Sequence, residues 1–157
     1  MSWELLFTLT NGWAIVGWVM LAFLPRKAFV LTFVLYLVVA LLCLVYGVAF
    51  ALLLSGTVSN PGASGPVSFT SLAGVQALFD GQGGAVIGWT HYLAFDLFIG
   101  LWIARDADAK GIGRLWQIPF LFATFMAGPI GLFGWLVTRE PRARAQARRA
   151  AAQTDFG

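Results

Sequence analysis

The feature that most constrains this chain is the length of its apolar segments. Between Ala28 and Phe79 the sequence contains no Asp, Glu, Lys or Arg, and the segment 28–54 is apolar almost throughout. An α-helix needs about 20 consecutive apolar residues to cross the hydrocarbon core of a bilayer. Only 11% of the residues are charged and 59% are hydrophobic, whereas soluble domains carry roughly 25% charged residues. These observations predict a polytopic membrane protein.

The apolar segments predict an all-α fold of four transmembrane helices and one short interfacial helix. Residues 25–27, Pro-Arg-Lys, make a tight connection between the first two spans, and residues 55–66 are rich in Gly, Pro, Ser and Asn and predict a loop. Residues 69–79, preceded by Ser68 as a cap, are too few to cross and predict an amphipathic helix at the interface, or a lid tucked into the bundle. The predicted spans are residues 5–24, 28–54, 85–104 and 115–137.

The predicted organisation is one transmembrane domain, residues 1–139, followed by an arginine-rich polar tail, residues 140–157. Pro129 is expected to kink the fourth span, because proline lacks a backbone N–H and clashes one turn back. Four crossings place both termini on one side of the membrane. The positive-inside rule then leaves the orientation undecided, because each side receives five basic residues: Arg26, Lys27, Arg105, Lys110 and Arg114 on one, and Arg139, Arg142, Arg144, Arg148 and Arg149 on the other.

The third predicted span holds the side chains that could carry chemistry inside the membrane. It contains His91, the only histidine of the chain, and Asp96. A charge at this depth is costly and is normally paired, hydrated or used. The two residues lie about 140° apart around a helix, so they do not pair directly but could flank one cavity. We therefore take as catalytic candidates His91, Asp96 and Tyr92, and as substrate-binding candidates Trp89, Phe95, Trp102 and Asn11.

Structural roles compete with these assignments. Asp96 could be a hydrogen-bond acceptor between helices, and His91 a residue of the membrane interface. Asn11, in the first span, is expected to hydrogen-bond to a neighbouring helix. The charged cluster 105–108, Arg-Asp-Ala-Asp, is interpreted as a solvated helix end. The arginine-rich tail is expected to meet anionic lipid headgroups or to stay in solvent.

Composition excludes several classes of protein. A single cysteine, Cys43, rules out an internal disulfide framework and a thiolate metal cluster. One histidine and one intramembrane aspartate are too few ligands for a non-haem iron oxygenase without a second subunit, so no metal and no other cofactor are predicted. Association into a homo-oligomer stays open. The net charge of +3 comes without interleaved aromatic and basic residues, so no nucleic-acid partner is expected.

Residues 89–98, WTHYLAFDLF, match every fixed position of the pattern Trp-x-His-x-Leu-Ala-x-Asp-Leu-Phe. On this motif the chain resembles the abscisic-acid-deficient-type family of membrane proteins, whose plant member is linked to neoxanthin synthesis. Residues 69–79, FTSLAGVQALF, and residues 128–132, GPIGL, are also similar to the family. The likeness runs from the first predicted span to Arg139.

The resemblance implies four membrane helices and a role in carotenoid or isoprenoid metabolism, with a carotenoid-like lipophilic molecule as partner. It suggests a non-redox xanthophyll epoxide isomerase acting on a polyene, as in the conversion of violaxanthin to neoxanthin. A carboxyl could open the epoxide as an acid, and a neutral imidazole could remove the proton as a base. A non-enzymatic carotenoid-binding or membrane assembly factor is the first alternative.

A small proton-coupled transporter, with Asp96 as its proton carrier, is the second alternative, although transporters usually contain repeated halves and no internal repeat is visible here. Because no transit peptide precedes the first span, the expected location is a bacterial inner (plasma) membrane.

Overall fold

The computed structural model describes the backbone of residues 2–154 and the side-chain exposure of residues 2–148. Every regular element in that part of the chain is helical, which confirms the all-α prediction. The elements in order are α1 (Trp3–Phe23), α2 (Ala28–Phe33), a π-helical segment (Val34–Val39), α3 (Ala40–Leu54), α4 (Leu72–Asp80), α5 (Gln82–Ala109), α6 (Arg114–Met126) and α7 (Gly128–Thr154).

Three helical stretches of the described residues are long and apolar enough to cross a membrane. They are α1, the continuous stretch Ala28–Leu54, and α5, and they coincide with the first three predicted spans. Helix α1 begins at Trp3 because the Ser2 side chain accepts a hydrogen bond from the Leu5 N–H at 3.3 Å, which satisfies a free donor of the first turn. Helix α5 is longer than predicted and extends from Gln82 to Ala109.

The prediction of one continuous fourth span over residues 115–137 is wrong. Helix α6 ends at Met126, Ala127 has the non-helical angles φ −159° and ψ 82°, and α7 starts at Gly128. A proline cannot follow a full turn of helix without losing a hydrogen bond and clashing with a carbonyl. The chain therefore breaks before Pro129, and this proline lies in the first turn of α7, where the missing N–H costs nothing.

Helices α6 and α7 pack against each other as an antiparallel hairpin. The ring of Phe120 meets that of Trp135 edge to face, with centroids 5.5 Å apart. A Cβ added at Gly131 would lie 2.3 Å from the backbone nitrogen of Thr124. Residues later in α7 thus contact residues earlier in α6. The chain therefore reverses its direction at Ala127, and the kink predicted at Pro129 is a complete turn.

The predicted short helix is present, but it starts later than predicted. Helix α4 begins at Leu72, three residues after the predicted start, because Ser71 rather than Ser68 caps it and accepts from the Gly74 N–H at 3.2 Å. Its large apolar residues are divided between the two sides: Leu72 is 75% and Phe79 51% exposed, whereas Leu78 is buried beside Gly74 and Ala77. The small residues let the α4 backbone pack closely: a Cβ on Gly74 would meet the backbone of Ser68 at 2.6 Å.

The chain divides into two compact units, Met1–Leu97 and Phe98–Gly157. The first unit contains α1 to α4 and the start of α5, and Gly17 lets α1 approach closely: a Cβ there would lie 2.5 Å from Leu97 Cδ2 and 3.0 Å from Val38 Cγ1. The second unit contains the end of α5 with α6 and α7, around the fully buried Trp135. Helix α7 continues through position 139, the predicted boundary between membrane domain and tail.

The π-helical segment interrupts the second membrane-length stretch. In it, hydrogen bonds join residues five apart, as in the bond from the Ala40 N–H to the Leu35 carbonyl. The indole N–H of Trp13 on α1 donates to the Leu37 carbonyl at 2.8 Å. This tryptophan therefore gives one carbonyl group of the π-helical segment a hydrogen-bond partner on a neighbouring helix.

Candidate functional site

His91 lies in a row of aromatic rings that extends across α3 and α5 of the first unit. It stacks on Phe95, with ring centroids 4.4 Å apart and planes inclined by 17°, and it meets Tyr46 at 5.3 Å. Tyr46 stacks on Phe50 at 5.6 Å, and Phe50 meets Phe69 edge to face at 6.1 Å. These five residues are called the aromatic row below.

Helical spacing and one small residue explain how the row forms. Residues four apart lie on one face of a helix, so α3 presents Tyr46 and Phe50 together, and α5 presents His91 and Phe95 together. A buried cluster that includes Ala49, Val86 and Ile87 holds the two helices side by side. The small side chain of Ala49 leaves room for this contact, and the rings meet beside it.

The aromatic row lies on the outer surface of the first unit. His91 is exposed, Phe95 is 52% exposed and Phe69 is 64% exposed. Both helices that carry most of the row belong to stretches long enough to cross a membrane. An exposed, continuous aromatic surface of this kind is typical of a site that meets a lipophilic molecule or another apolar surface.

A second group, formed by Asn11, Trp89, Tyr92 and Phe7, joins α1 to α5. The Trp89 indole N–H donates to Asn11 Oδ1 at 3.0 Å, and Asn11 Nδ2 donates to the Phe7 carbonyl at 2.7 Å. Trp89 stacks on Tyr92 with centroids 5.2 Å apart, and its ring lies 6.2 Å from Phe7. The predicted hydrogen bond of Asn11 to a neighbouring helix is therefore present, and both ends of its amide are engaged.

Asp96 lies on a packed side of α5. Its exposure is 6%, and its neighbours Leu93, Ala94 and Leu97 are also buried. His91 is exposed and about 140° away around the helix axis. The sequence prediction that these two residues do not pair within the helix agrees with this geometry. The imidazole faces the outer surface, whereas the carboxyl faces the packed interior.

Trp102, a predicted substrate-binding residue, lies in the second unit beside an ion-pair cluster. Its ring is 5.3 Å from the Arg139 guanidinium carbon, within the range of a cation–π contact. Arg139 binds Asp106 through Nε at 2.6 Å and Nη2 at 2.9 Å, and Asp106 also accepts from Lys110 Nζ at 2.5 Å and from Trp135 Nε1 at 3.0 Å. The structure thus gives Trp102 a structural contact.

The interpretation of residues 105–108 as a solvated helix end is wrong for Asp106. Its side chain is only 11% exposed and is bound by the two cations and the indole of Trp135. The reason is tertiary: α7 returns beside the end of α5 and brings both Trp135 and Arg139 to this carboxylate. Lys110 is a local partner, four residues further along the same helix, but Trp135 and Arg139 lie on another helix and cannot be found from nearby positions.

Sequence analysis missed Asn60, which organises the beginning of α5. Its Oδ1 accepts from the Gly83 N–H at 2.9 Å and the Gly84 N–H at 3.2 Å, so a loop side chain caps this helix. The Trp3 indole donates to the Ser59 carbonyl at 3.1 Å and packs on Gly83. The signal in the sequence was the pair of glycines at 83–84, which permits such close approach. Tyr46 was also missed, although its spacing of four from Phe50 suggested a shared face.

An apolar groove lies between α1 and α3, on a part of the first unit separate from the aromatic row. It consists of two adjoining cavities of about 300 and 260 Å³, both lined by Leu6 and Val45. Among the described residues, no group of three or more His, Cys, Asp or Glu side chains could hold a metal ion. The chemically distinctive features of the first unit are therefore the aromatic row with His91 and the buried Asp96.

Comparison with known proteins agrees with the resemblance at residues 89–98. The chain matches the family model ABA4-like, described as ABA DEFICIENT 4-like, over residues 5–135. Comparisons with curated proteins and with solved structures gave no match. The matched segment extends from α1 into α7 and includes the aromatic row, Asn60 and Asp96. Since it covers most of the 157 residues, the chain belongs to the ABA4-like family.

Proposed function

We propose that this protein binds a carotenoid-like polyene within a membrane and isomerises it, with His91 at the reacting position. The observation that carries the proposal is the aromatic row, in which His91 is the only titratable nitrogen and stacks on Phe95 at 4.4 Å. Membership in the ABA4-like family supports a carotenoid substrate, because the plant member of the abscisic-acid-deficient-type family is linked to neoxanthin synthesis.

The shape of the aromatic row suits a long conjugated molecule. A polyene is flat, extended and apolar, and aromatic faces pack well against such a surface. Successive rings from Phe95 to Phe69 are 4.4 to 6.1 Å apart, so they form a continuous strip rather than an isolated contact. A substrate diffusing in the bilayer can reach this strip directly, because the row lies on the outer surface of the first unit.

The reaction needs only a proton acceptor and a proton donor. Converting an epoxide into an allenic alcohol breaks one C–H bond and one epoxide C–O bond, and the electron pair of the C–H bond becomes the new double bond. The proton ends on the former epoxide oxygen, so no electron is gained or lost and no oxidant is required. A neutral His91 imidazole accepts the proton from carbon, and the imidazolium or the nearby Tyr46 hydroxyl returns one to oxygen.

The burial of Asp96 favours a second candidate function, that of a carotenoid-binding protein without catalysis. Catalysis by Asp96 as the acid and His91 as the base requires both side chains to reach the same ligand. Asp96 is only 6% exposed on a packed side of α5, so a ligand bound at the aromatic row does not meet its carboxyl. In this case the aromatic row holds a pigment, and His91 contributes only its ring face.

Pigment analysis separates the two functions. The protein is produced in bacterial cells that make violaxanthin, and extracted pigments are separated by chromatography and identified by mass and absorption spectrum. A new isomer of unchanged mass that disappears with His91→Gln supports catalysis, with Cys43→Ala as a control for an exposed residue outside the row. Altered pigment amounts without a new species support binding alone. Pigments identical to those of cells lacking the protein reject both functions.

A further inference from the structure

We propose that the α6–α7 hairpin enters and leaves the membrane on the same side, and that the basic residues gathered on this side form a surface that binds anionic phospholipid headgroups. The proposal is independent of any action on a polyene. It concerns the second unit, where a complete fourth crossing was predicted.

The hairpin is too short to cross twice. Helix α6 has 13 residues, a length of about 20 Å, against the roughly 30 Å of a hydrocarbon core. The apolar part of α7, residues 128–138, is shorter still before Arg139 begins its charged half. Both arms thus have the length of a segment that reaches partway into the membrane and returns.

The turn of the hairpin is built to lie in an apolar environment. Backbone polar groups inside a bilayer must find partners within the protein. The Ala127 N–H donates to the Ala123 carbonyl at 2.8 Å, and the Ala127 carbonyl accepts from Ile130 at 2.9 Å. Gly128 and Gly131 at the turn are buried. The polar groups of the reversal are therefore satisfied locally.

Ion pairs hold the returning arm beside the end of α5. Asp106 binds Arg139 through two nitrogens, and the Gln146 side chain donates to the Ala109 carbonyl at 3.1 Å. A fourth crossing would place Arg139 and Gln146 on the far side of the membrane from Ala109. These contacts instead place the charged half of α7 next to residues 105–114.

The same argument extends to the connection between α5 and α6. It carries Arg105, Lys110 and Arg114, and the charged half of α7 lies beside it. With the hairpin returning, the described basic residues of the second unit gather on one side of the membrane instead of two: Arg105, Lys110, Arg114, Arg139, Arg142, Arg144 and Arg148.

Charge complementarity identifies the partner as an anionic leaflet. Cytoplasmic loops carry the excess of Lys and Arg in membrane proteins, and cytoplasmic leaflets carry anionic lipids. Arg142 and Arg148 are exposed, and Arg144, which pairs with the nearby Glu140, is 71% exposed in its side chain. Phosphate groups of the adjacent leaflet lie within reach of a helix that emerges at the membrane surface.

Cysteine labelling tests the path of the chain. In full-length protein carrying Cys43→Ala, single cysteines are introduced by Ser59→Cys, Ala109→Cys and Ala145→Cys and treated in intact cells with a membrane-impermeant maleimide. We expect Ser59→Cys to react from outside, and the other two only after the cells are opened. Reaction of Ser59→Cys and Ala145→Cys from the same side would restore a four-span topology and overturn the proposal.

Limited proteolysis tests the headgroup contact. The full chain is placed in nanodiscs of phosphatidylcholine, with or without phosphatidylglycerol, and trypsin cleavage after Arg142 to Arg148 is followed by mass spectrometry. We expect slower cleavage with the anionic lipid, and loss of this protection at about 1 M salt, where the screening length falls to roughly 3 Å. Equal rates in both lipids would overturn the headgroup surface, even if labelling supports the hairpin.

Discussion

His91 and Asp96 show how the side of a helix on which a residue lies limits what it can do. Five positions separate them on α5, so one faces the aromatic row and the other faces the packed interior. A ligand arriving from the bilayer meets the imidazole first. The carboxyl becomes accessible only if neighbouring helices move apart.

Replacing His91 by glutamine tests its chemical role. The amide fills a similar space but cannot accept a proton near neutral pH, and loss of a general base typically lowers a rate by about 10²- to 10⁴-fold. Because His91 is exposed, we expect unchanged amounts of membrane-inserted protein and a loss of product of that order. Measuring product per molecule of purified protein checks this, and conversion equal to that of the unmodified protein would exclude His91 as the base.

Replacing Asp96 by asparagine distinguishes catalysis from packing. The buried position favours packing, so we expect Asp96→Asn to lower the midpoint of thermal unfolding in detergent while conversion per folded molecule is kept. A protein that extracts and unfolds normally but no longer converts pigment would instead make Asp96 the catalytic acid.

The residues that sequence analysis missed share one property, a partner far away in the chain. Asn60 caps a helix start more than twenty positions later, and Asp106 receives Arg139 from another helix. Motifs of a few residues cannot contain such pairs. The hydrogen bond of Asn11 was predictable in kind, because an amide inside a span needs a partner, but Trp89 as that partner was not.

At the scale of helices, apolarity predicted the positions of three membrane-length stretches within a few residues. It failed for residues 115–137 because hydropathy measures how apolar a segment is and contains no information about its direction. Pro129 was recognised as a disturbance, yet only tertiary contacts, those of Gly131 with Thr124 and of Phe120 with Trp135, show that the disturbance is a reversal.

The hairpin should depend on the missing side chain at Gly131. A Cβ there would lie 2.2 to 2.6 Å from three atoms of Thr124, two of them backbone, and overpacking typically costs about 1–3 kcal/mol. We expect Gly131→Ala to lower the unfolding midpoint. The control is Gly47→Ala, where nothing lies within 4 Å and a helical Gly-to-Ala change gains up to about 1 kcal/mol. Equal midpoints for the two variants would contradict the close packing.

The two sides of α4 should differ in their access to water. Ala77 is 3% exposed and Leu72 is 75% exposed on the same helix. In a Cys43→Ala background, a cysteine replacing Ala77 is therefore expected to react with a water-soluble maleimide much more slowly than one replacing Leu72. Similar rates would mean that the helix is not packed against the protein.

At the scale of the whole molecule, Asp106 is the anion on which the placement of the basic helix depends. Removing a partner from a largely buried ion pair can cost several kcal/mol, whereas exposed pairs contribute about 0–1 kcal/mol. We expect Asp106→Asn to speed trypsin cleavage after Arg139 and Arg142, because the returning arm loses its attachment. Glu140→Gln, which removes only the exposed pair with Arg144, should leave the rate unchanged. If the two variants behave alike, the Asp106 ion pairs do not hold the arm.

The π-helical turn at Val34–Val39 amounts to one additional residue in an otherwise regular helix. Deleting a single residue there would let the stretch close into an ordinary α-helix without shortening any loop. Everything after the deletion would then turn by about 100° relative to everything before it. Tyr46 would leave His91 if α2 stayed fixed against α1. A single inserted residue thus sets the direction in which α3 presents Tyr46 to His91. Such an insertion can arise or vanish in one genetic step.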